Sequence, residues 1–312
     1  MEEKMDRITE NRMFKKLILI LALTILATSF SFGKELKTIQ EKTFSVKDWE
    51  NLYVNADGAD IIVASWDKQE VYVKVLGNHK AEEQIKLKIE KENDAVVVIA
   101  KEKKFHSFFN WFGNNISLRI EVMVPRKYNA DLETSGGNLK LSDLTGGFKL
   151  NTSGGNISLN GNNGKLNAET SGGNIKLVNH KGKMDISTSG GNIDCRSVTG
   201  DLKAETSGGN VDIELTDGKL YTETSGGDIS ISYTGMNKGL EASTSGGSIR
   251  VKLPADFKAK AHLETGGGTV RNHFSNVKDS KVSQSEIDCE LNGGGNILKL
   301  ETSGGDVIVD QK

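Results

Sequence analysis

The chain is short of charge imbalance, proline, cysteine and aromatic side chains, and each shortage removes a class of explanation. Lys and Arg number 40 against 42 Asp and Glu, so no net field points to nucleic acid or an anionic membrane as the main partner. Two prolines against 35 glycines suit a β-rich chain with many tight turns. The five histidines, His79, His106, His180, His262 and His273, are scattered without metal-ligand spacing. Neither a metal nor a cofactor is expected from such a set. One long apolar run, Leu17 to Ala27, follows Arg12, Lys15 and Lys16 and ends in small residues at Ser29, Ser31 and Gly33. Residues 1–33 therefore read as an export signal. A retained membrane anchor is the alternative, for which an apolar core of about 11 to 16 residues is short. No cysteine follows the run, which argues against a lipoprotein.

What the chain does have is a register. Glycine falls on every ninth residue from Gly137 to Gly227. Two residues after each glycine comes a residue such as Leu139, Phe148, Ile157 or Ile229, and four after comes one such as Leu141, Leu150, Leu159 or Ile231. Each unit is then a turn followed by a short strand whose alternate side chains point inward. Alternate turns differ. TSGG recurs with its threonine at Thr134, Thr152, Thr170, Thr188, Thr206, Thr224 and Thr244, whereas the turns between vary. The chain is thus expected to be an all-β, single-stranded parallel β-solenoid, β-helix or β-roll-like, with nine-residue half-coils and eighteen-residue coils. The crossover rule makes it right-handed.

Stacking has consequences that can be stated residue by residue. Asn138, Asn156, Asn174, Asn192, Asn210 and Asp228 follow the TSGG glycines and should form an amide ladder that satisfies corner groups. Cys195 and Cys289 fall at inward positions at least four coils apart, about 19 Å or more at ~4.8 Å per coil, so they are expected as two buried thiols without a disulfide. Gly191 is expected to resist replacement by alanine through a positive φ. Residues 36–125 show strand-like runs without the register and read as irregular N-terminal β coils of the same solenoid, or else as a separate small β domain. Residues 126–312 form the regular repeat, which loosens after Thr244. Asp306, Asp310 and Lys312 around Val307, Ile308 and Val309 suit a terminal strand edge.

The phrases VPRKYNADLETSGGNLKL (Val124 to Leu141), LPADFKAKAHLETGGGTV (Leu253 to Val270) and LNGGGNILKLETSGGDVIV (Leu291 to Val309) resemble the bacterial putative-adhesin family, exported β-strand-repeat proteins catalogued as a domain of unknown function. The resemblance runs from about residue 40 onward. It implies a parallel β-helix-like fold and an adhesive or envelope role, and it supplies no catalytic residues.

Candidate chemistry is sparse. Calcium-binding β-rolls place an Asp two residues after the second turn glycine, a position that is aliphatic here. A partial carboxylate column precedes the TSGG threonines, as Glu133, Asn151, Glu169, Ser187, Glu205, Glu223, Ser243 and Glu264. It reads as a solvated face, with weak divalent-cation binding around Glu205 and Glu223, the only adjacent pair, as the alternative. Polysaccharide-cleaving β-helices need convergent acids in a cleft, and neither outward row concentrates them. The local anomaly is aromatic. Phe105, Phe108, Phe109, Trp111 and Phe112 lie within eight residues, flanked by Lys101, Lys103 and Lys104. They read either as a lid over the core or as a contact for a partner, glycan or membrane interface.

The sequence therefore points to an exported, non-catalytic protein of the periplasm or outer cell surface, an adhesin presenting flat repeat faces. Its ligand would be an envelope or surface glycan or protein, with no nucleic acid and with membrane contact only through an uncleaved N-terminal segment. The alternatives are a periplasmic or membrane-tethered scaffold in envelope signalling and a polysaccharide-processing enzyme.

Overall fold

The computed structural model describes residues 36–103 and 116–312. The segment expected to be an export signal, residues 1–33, and the aromatic run Phe105, Phe108, Phe109, Trp111 and Phe112 lie outside the described residues. The chain divides into two units, Met1–Leu36 and Lys37–Lys312, and every described strand belongs to the second.

One coil shows how the sequence builds that unit. The strand Phe148–Thr152 buries Phe148, Leu150 and Thr152 and turns Lys149 and Asn151 outward. A TSGG turn leads to Ile157–Asn160, which buries Ile157 and Leu159. The chain then returns as Leu166–Thr170, parallel to the first strand with Phe148 opposite Leu166 and Thr152 opposite Thr170. Repetition gives a 13-stranded and a 14-stranded sheet, with the inward residues merging into one aliphatic core. Each buried Leu or Ile contributes about 1.5–3 kcal/mol, and most of that depends on the coils above and below. The expected parallel solenoid is thus present. Antiparallel pairs occur only toward its ends among the described residues, as between Ile85–Glu92 and Ala95–Glu102.

The TSGG turn has a specific chemistry. The buried hydroxyl of Thr152 donates to the carbonyl of Gly137 in the preceding coil (3.0 Å) and accepts from the N–H of Gly155 in its own turn (3.2 Å). The same pair of bonds recurs at Thr170, Thr188, Thr206 and Thr224. A serine or threonine is needed because the group must donate and accept at once inside the core. The second glycine is needed for space. A Cβ on Gly191 would lie 1.9 Å from the carbonyl oxygen of Gly173. This corrects the expected reason for that glycine, since its φ is not positive.

The asparagine ladder exists, with a difference. Each side-chain oxygen accepts the backbone N–H of the next member, from Asn138 to Asn156 (2.9 Å), through Asn174, Asn192 and Asn210, to Asp228. The ladder begins at Asp60 and ends through Ser248 and Asp306 at Thr269. The alternate turns carry the left-handed residues instead. Asp143, Gly161, Asn179, Ser197 and Asp217 all have positive φ, between 47° and 69°, where Gly, Asn and Asp are least strained.

The ends depart from simple succession. The coil next to Leu240–Thr244 and Ile249–Leu253 is made of Ile297–Thr302 and Val307–Gln311. Ala259–Thr265 and Val270–Asn272 lie beyond it. The last strand is therefore interior, with Val307 and Val309 fully buried. This overturns the expected edge at Asp306 to Lys312. Thr302 and Thr265 still complete the hydroxyl ladder through the carbonyls of Gly247 and Gly305. At the other end Asn51–Ala56 and Asp60–Trp66 pair with Asn129–Thr134 and Leu139–Ser142, and Ala95–Glu102 and Leu118–Pro125 lie outside them. Cys195 and Cys289 are both buried and in no disulfide, as expected.

Candidate binding face

The parallel register sorts outward residues of the 14-stranded sheet into two rows. One runs Tyr53, Asp131, Lys149, Asn167, Asp185, Lys203, Tyr221 and Glu241, and continues to Lys299, His262 and Asp288. The other is the carboxylate column, from Asn55 and Glu133 to Ser243. There the sequence order fails. Glu301, not Glu264, stands next to Ser243, followed by Glu264 and then Glu286. Three consecutive carboxylates thus face outward where the sequence showed one. Glu205 and Glu223 are neighbours as expected, yet both are engaged, Glu205 by Lys203 (2.8 Å) and Glu223 by the hydroxyl of Tyr221 (2.7 Å). That bond is the chief cause pushing the Tyr221 phenol up to about 12.

Between this column and the serines of the TSGG turns runs a shallow polar groove. One stretch, about 350 Å³, is lined by Glu169, Ser187, Glu205, Ser189, Ser207 and Glu223. A second, about 360 Å³, shares Glu223 and continues past Ser243 and Ser245 to Glu301 and Glu264. A third hollow on the same face, about 420 Å³, has Tyr53 among Asp131, Lys149 and Asn167. Several lysines of the face pair with carboxylates, as in Lys149 to Asp131 (3.7 Å) and Lys299 to Glu301 (2.8 Å). Exposed pairs of this kind add little stability.

A dense ionisable cluster lies beside the second stretch of groove. His262 is less than one-third exposed, and its Nδ1 is 2.7 Å from Asp288. Its Nε2 faces Glu264 at 3.4 Å and Glu301 at 3.6 Å. The hydrogen bond to Asp288, then the nearby carboxylates, raise the imidazole pKa against the opposing effect of burial. Sequence spacing could not find this cluster. Its members come from three strands, Ala259–Thr265, Glu286–Leu291 and Ile297–Thr302, whose order in the sheet differs from their order in the chain. The only signal was the TSGG threonine of the last coil, Thr302, which puts Glu301 in the carboxylate column.

Among the described residues no helix is long and apolar enough to cross a membrane. The fold defines a class, a two-sheet repeat solenoid, here with a polar groove on the outer face of its 14-stranded sheet. The chain belongs to the Toastrack DUF4097 family, a domain of unknown function, whose pattern matches residues 49–310. No curated protein matches. Among solved structures the chain is similar to a putative adhesin from Bacteroides fragilis, at 15% identity and a TM-score of 0.44, covering 90% of this chain and 100% of that one. It is also similar to a putative cell adhesion protein from Clostridium sporogenes, at 15% identity and 0.21, covering 88% and 100%. A third likeness is to a putative lipid binding protein from Parabacteroides distasonis, at 16% and 0.31, covering 86% and 96%.

Proposed function

We propose that the protein is an exported, non-catalytic component of the cell surface that adheres through the outer face of its 14-stranded sheet. The observation that carries this reading is the groove in which the turn serines recur in fixed register beside a column of carboxylates interrupted by Asn151, Ser187 and Ser243. A surface that repeats every coil, about 4.8 Å, meets a repeating glycan or protein ligand at many weak points at once. Multivalency then supplies the affinity that no single contact has. Export rests on the basic residues and apolar run from Arg12 to Ala27. The aromatic run Phe105 to Phe112 is a second contact in this reading.

Protease shaving of intact cells, followed by peptide mass spectrometry, tests it. Release of peptides between Lys140 and Lys260 from unbroken cells is the expected result. Complete protection until the outer envelope is opened would replace adhesion with a scaffold inside the envelope. Release of reducing ends from a panel of polysaccharides would instead show an enzyme.

A further inference from the structure

The geometry assigns a divalent transition-metal site to His262, Glu264 and Glu301, with Asp288 as the group that orients the imidazole. The argument starts from the two ring nitrogens. At 2.7 Å from Asp288, Nδ1 is within hydrogen-bond distance of a carboxylate and is its N–H donor. Nε2 faces two carboxylates, Glu264 at 3.4 Å and Glu301 at 3.6 Å, and in the neutral ring with Nδ1 protonated it turns its lone pair toward them. A lone pair facing two anions is repelled unless a cation stands between them, either a proton on Nε2 or a metal ion.

The distances fit the metal. Ligands about 2.0–2.1 Å from a tetrahedral Zn²⁺ are about 3.4 Å from each other, close to both observed separations. The three donor atoms all lie within 4.8 Å of one another. Asp288 also forms a group with His262 and Glu286, but its contact with Nδ1 is too short to admit an ion between them. Glu286 is held by Lys281. Asp288 instead completes a carboxylate, histidine and metal relay, in which the outer carboxylate fixes the tautomer and raises ligand basicity. Imidazole with carboxylates suits Zn²⁺ and its neighbours better than Ca²⁺ or Mg²⁺. Lys299 is the competitor, since its ammonium is 2.8 Å from the same Glu301 oxygen that faces Nε2. Lys281 lies opposite Asp288 and Glu241 opposite Lys299, with Lys260 and Glu290 further along the packed strands.

Zn²⁺ titration calorimetry on the metal-free full chain, with Co²⁺ visible absorption as a second readout, tests the assignment. One saturable ion per chain is expected. His262→Gln and Glu301→Gln should each weaken it at least about tenfold, and Asp288→Asn by about 10- to 100-fold. Lys299→Gln should tighten it, which a purely structural role for these residues does not produce. His273→Gln should change nothing, although His273 also pairs with an aspartate, Asp310. These side chains are on the surface, and unchanged thermal midpoints of the metal-free variants identify folded protein. Equal affinity in wild type and His262→Gln, or no saturable binding, would overturn the assignment and leave His262 a protonated partner of its carboxylates.

Discussion

Single side chains inside the solenoid are held to strict donor and acceptor accounts. Thr206 and Thr222 are both buried threonines, yet they should respond oppositely to loss of the hydroxyl. Thr206 donates to Gly191 and accepts from Gly209, so Thr206→Val should cost about 1–3 kcal/mol by stranding both backbone groups. Thr222 occupies an aliphatic inward position with its hydroxyl unpartnered, so Thr222→Val should stabilise by about 1 kcal/mol. Chemical denaturation of the two variants checks the sign. His180 makes a similar case for pH. Its Nε2 meets the carbonyl of Gly164 at 3.1 Å, its Nδ1 is buried without a partner, and desolvation lowers its pKa. The unfolded chain then binds the proton first as pH falls below about 6.5. Its contribution is full above that pH and is lost as pH falls toward the lower folded value. His262, with its raised pKa, acts in the opposite sense, so the effect is read as the difference between wild type and His180→Leu. His180→Leu should lose less stability on acidification than wild type.

At the scale of the coil, the TSGG turn couples neighbours through backbone contact as well as through its threonine and asparagine side chains. Second glycines stack so closely that a Cβ at Gly155, Gly173 or Gly191 would sit 1.9 Å from the carbonyl oxygen below. Gly191→Ala must therefore separate two coils locally, at about 1–3 kcal/mol. Amide hydrogen exchange should show the loss in the coils holding Gly173 and Gly209 as well as at the mutated turn. A strain confined to Gly191 would leave those neighbours protected.

For the molecule as a whole, the regular middle was legible and the ends were not. Periodicity alone places Leu139, Ile157 and Ile193 inward, because one residue's offset from a turn glycine decides its face. It cannot say which coil stacks on which once spacing breaks, since Thr265 and Thr302 are equally good successors to Thr244. The structure places Thr302 first. That choice made Val307–Gln311 an interior strand and gathered His262, Glu264 and Glu301, so the candidate metal site was hidden by the same ambiguity. The aromatic run was conspicuous in sequence and lies outside the described residues. The topology itself is testable. Removing residues 293–312 deletes the strands that join Leu240–Leu253 to Ala259–Asn272. Limited proteolysis should then cut between Pro254 and Asn292 and leave Ile116 to Leu253 intact.

The interleaved coil also fixes an order of events in time. A chain that leaves the ribosome or a translocation channel from its N-terminus can close each coil from Asn129 to Leu253 on the one before it as it emerges. Ala259–Asn272 appears next and can pair with Glu286–Leu291, but it has no place on the coil stack until Ile297–Gln311 has followed. Some forty residues must therefore wait, and the last to emerge are the first to be placed. Until they arrive, the strands Leu240–Thr244 and Ile249–Leu253 offer open, hydrogen-bond-hungry edges. A chaperone, or a second nascent chain, would meet this protein there.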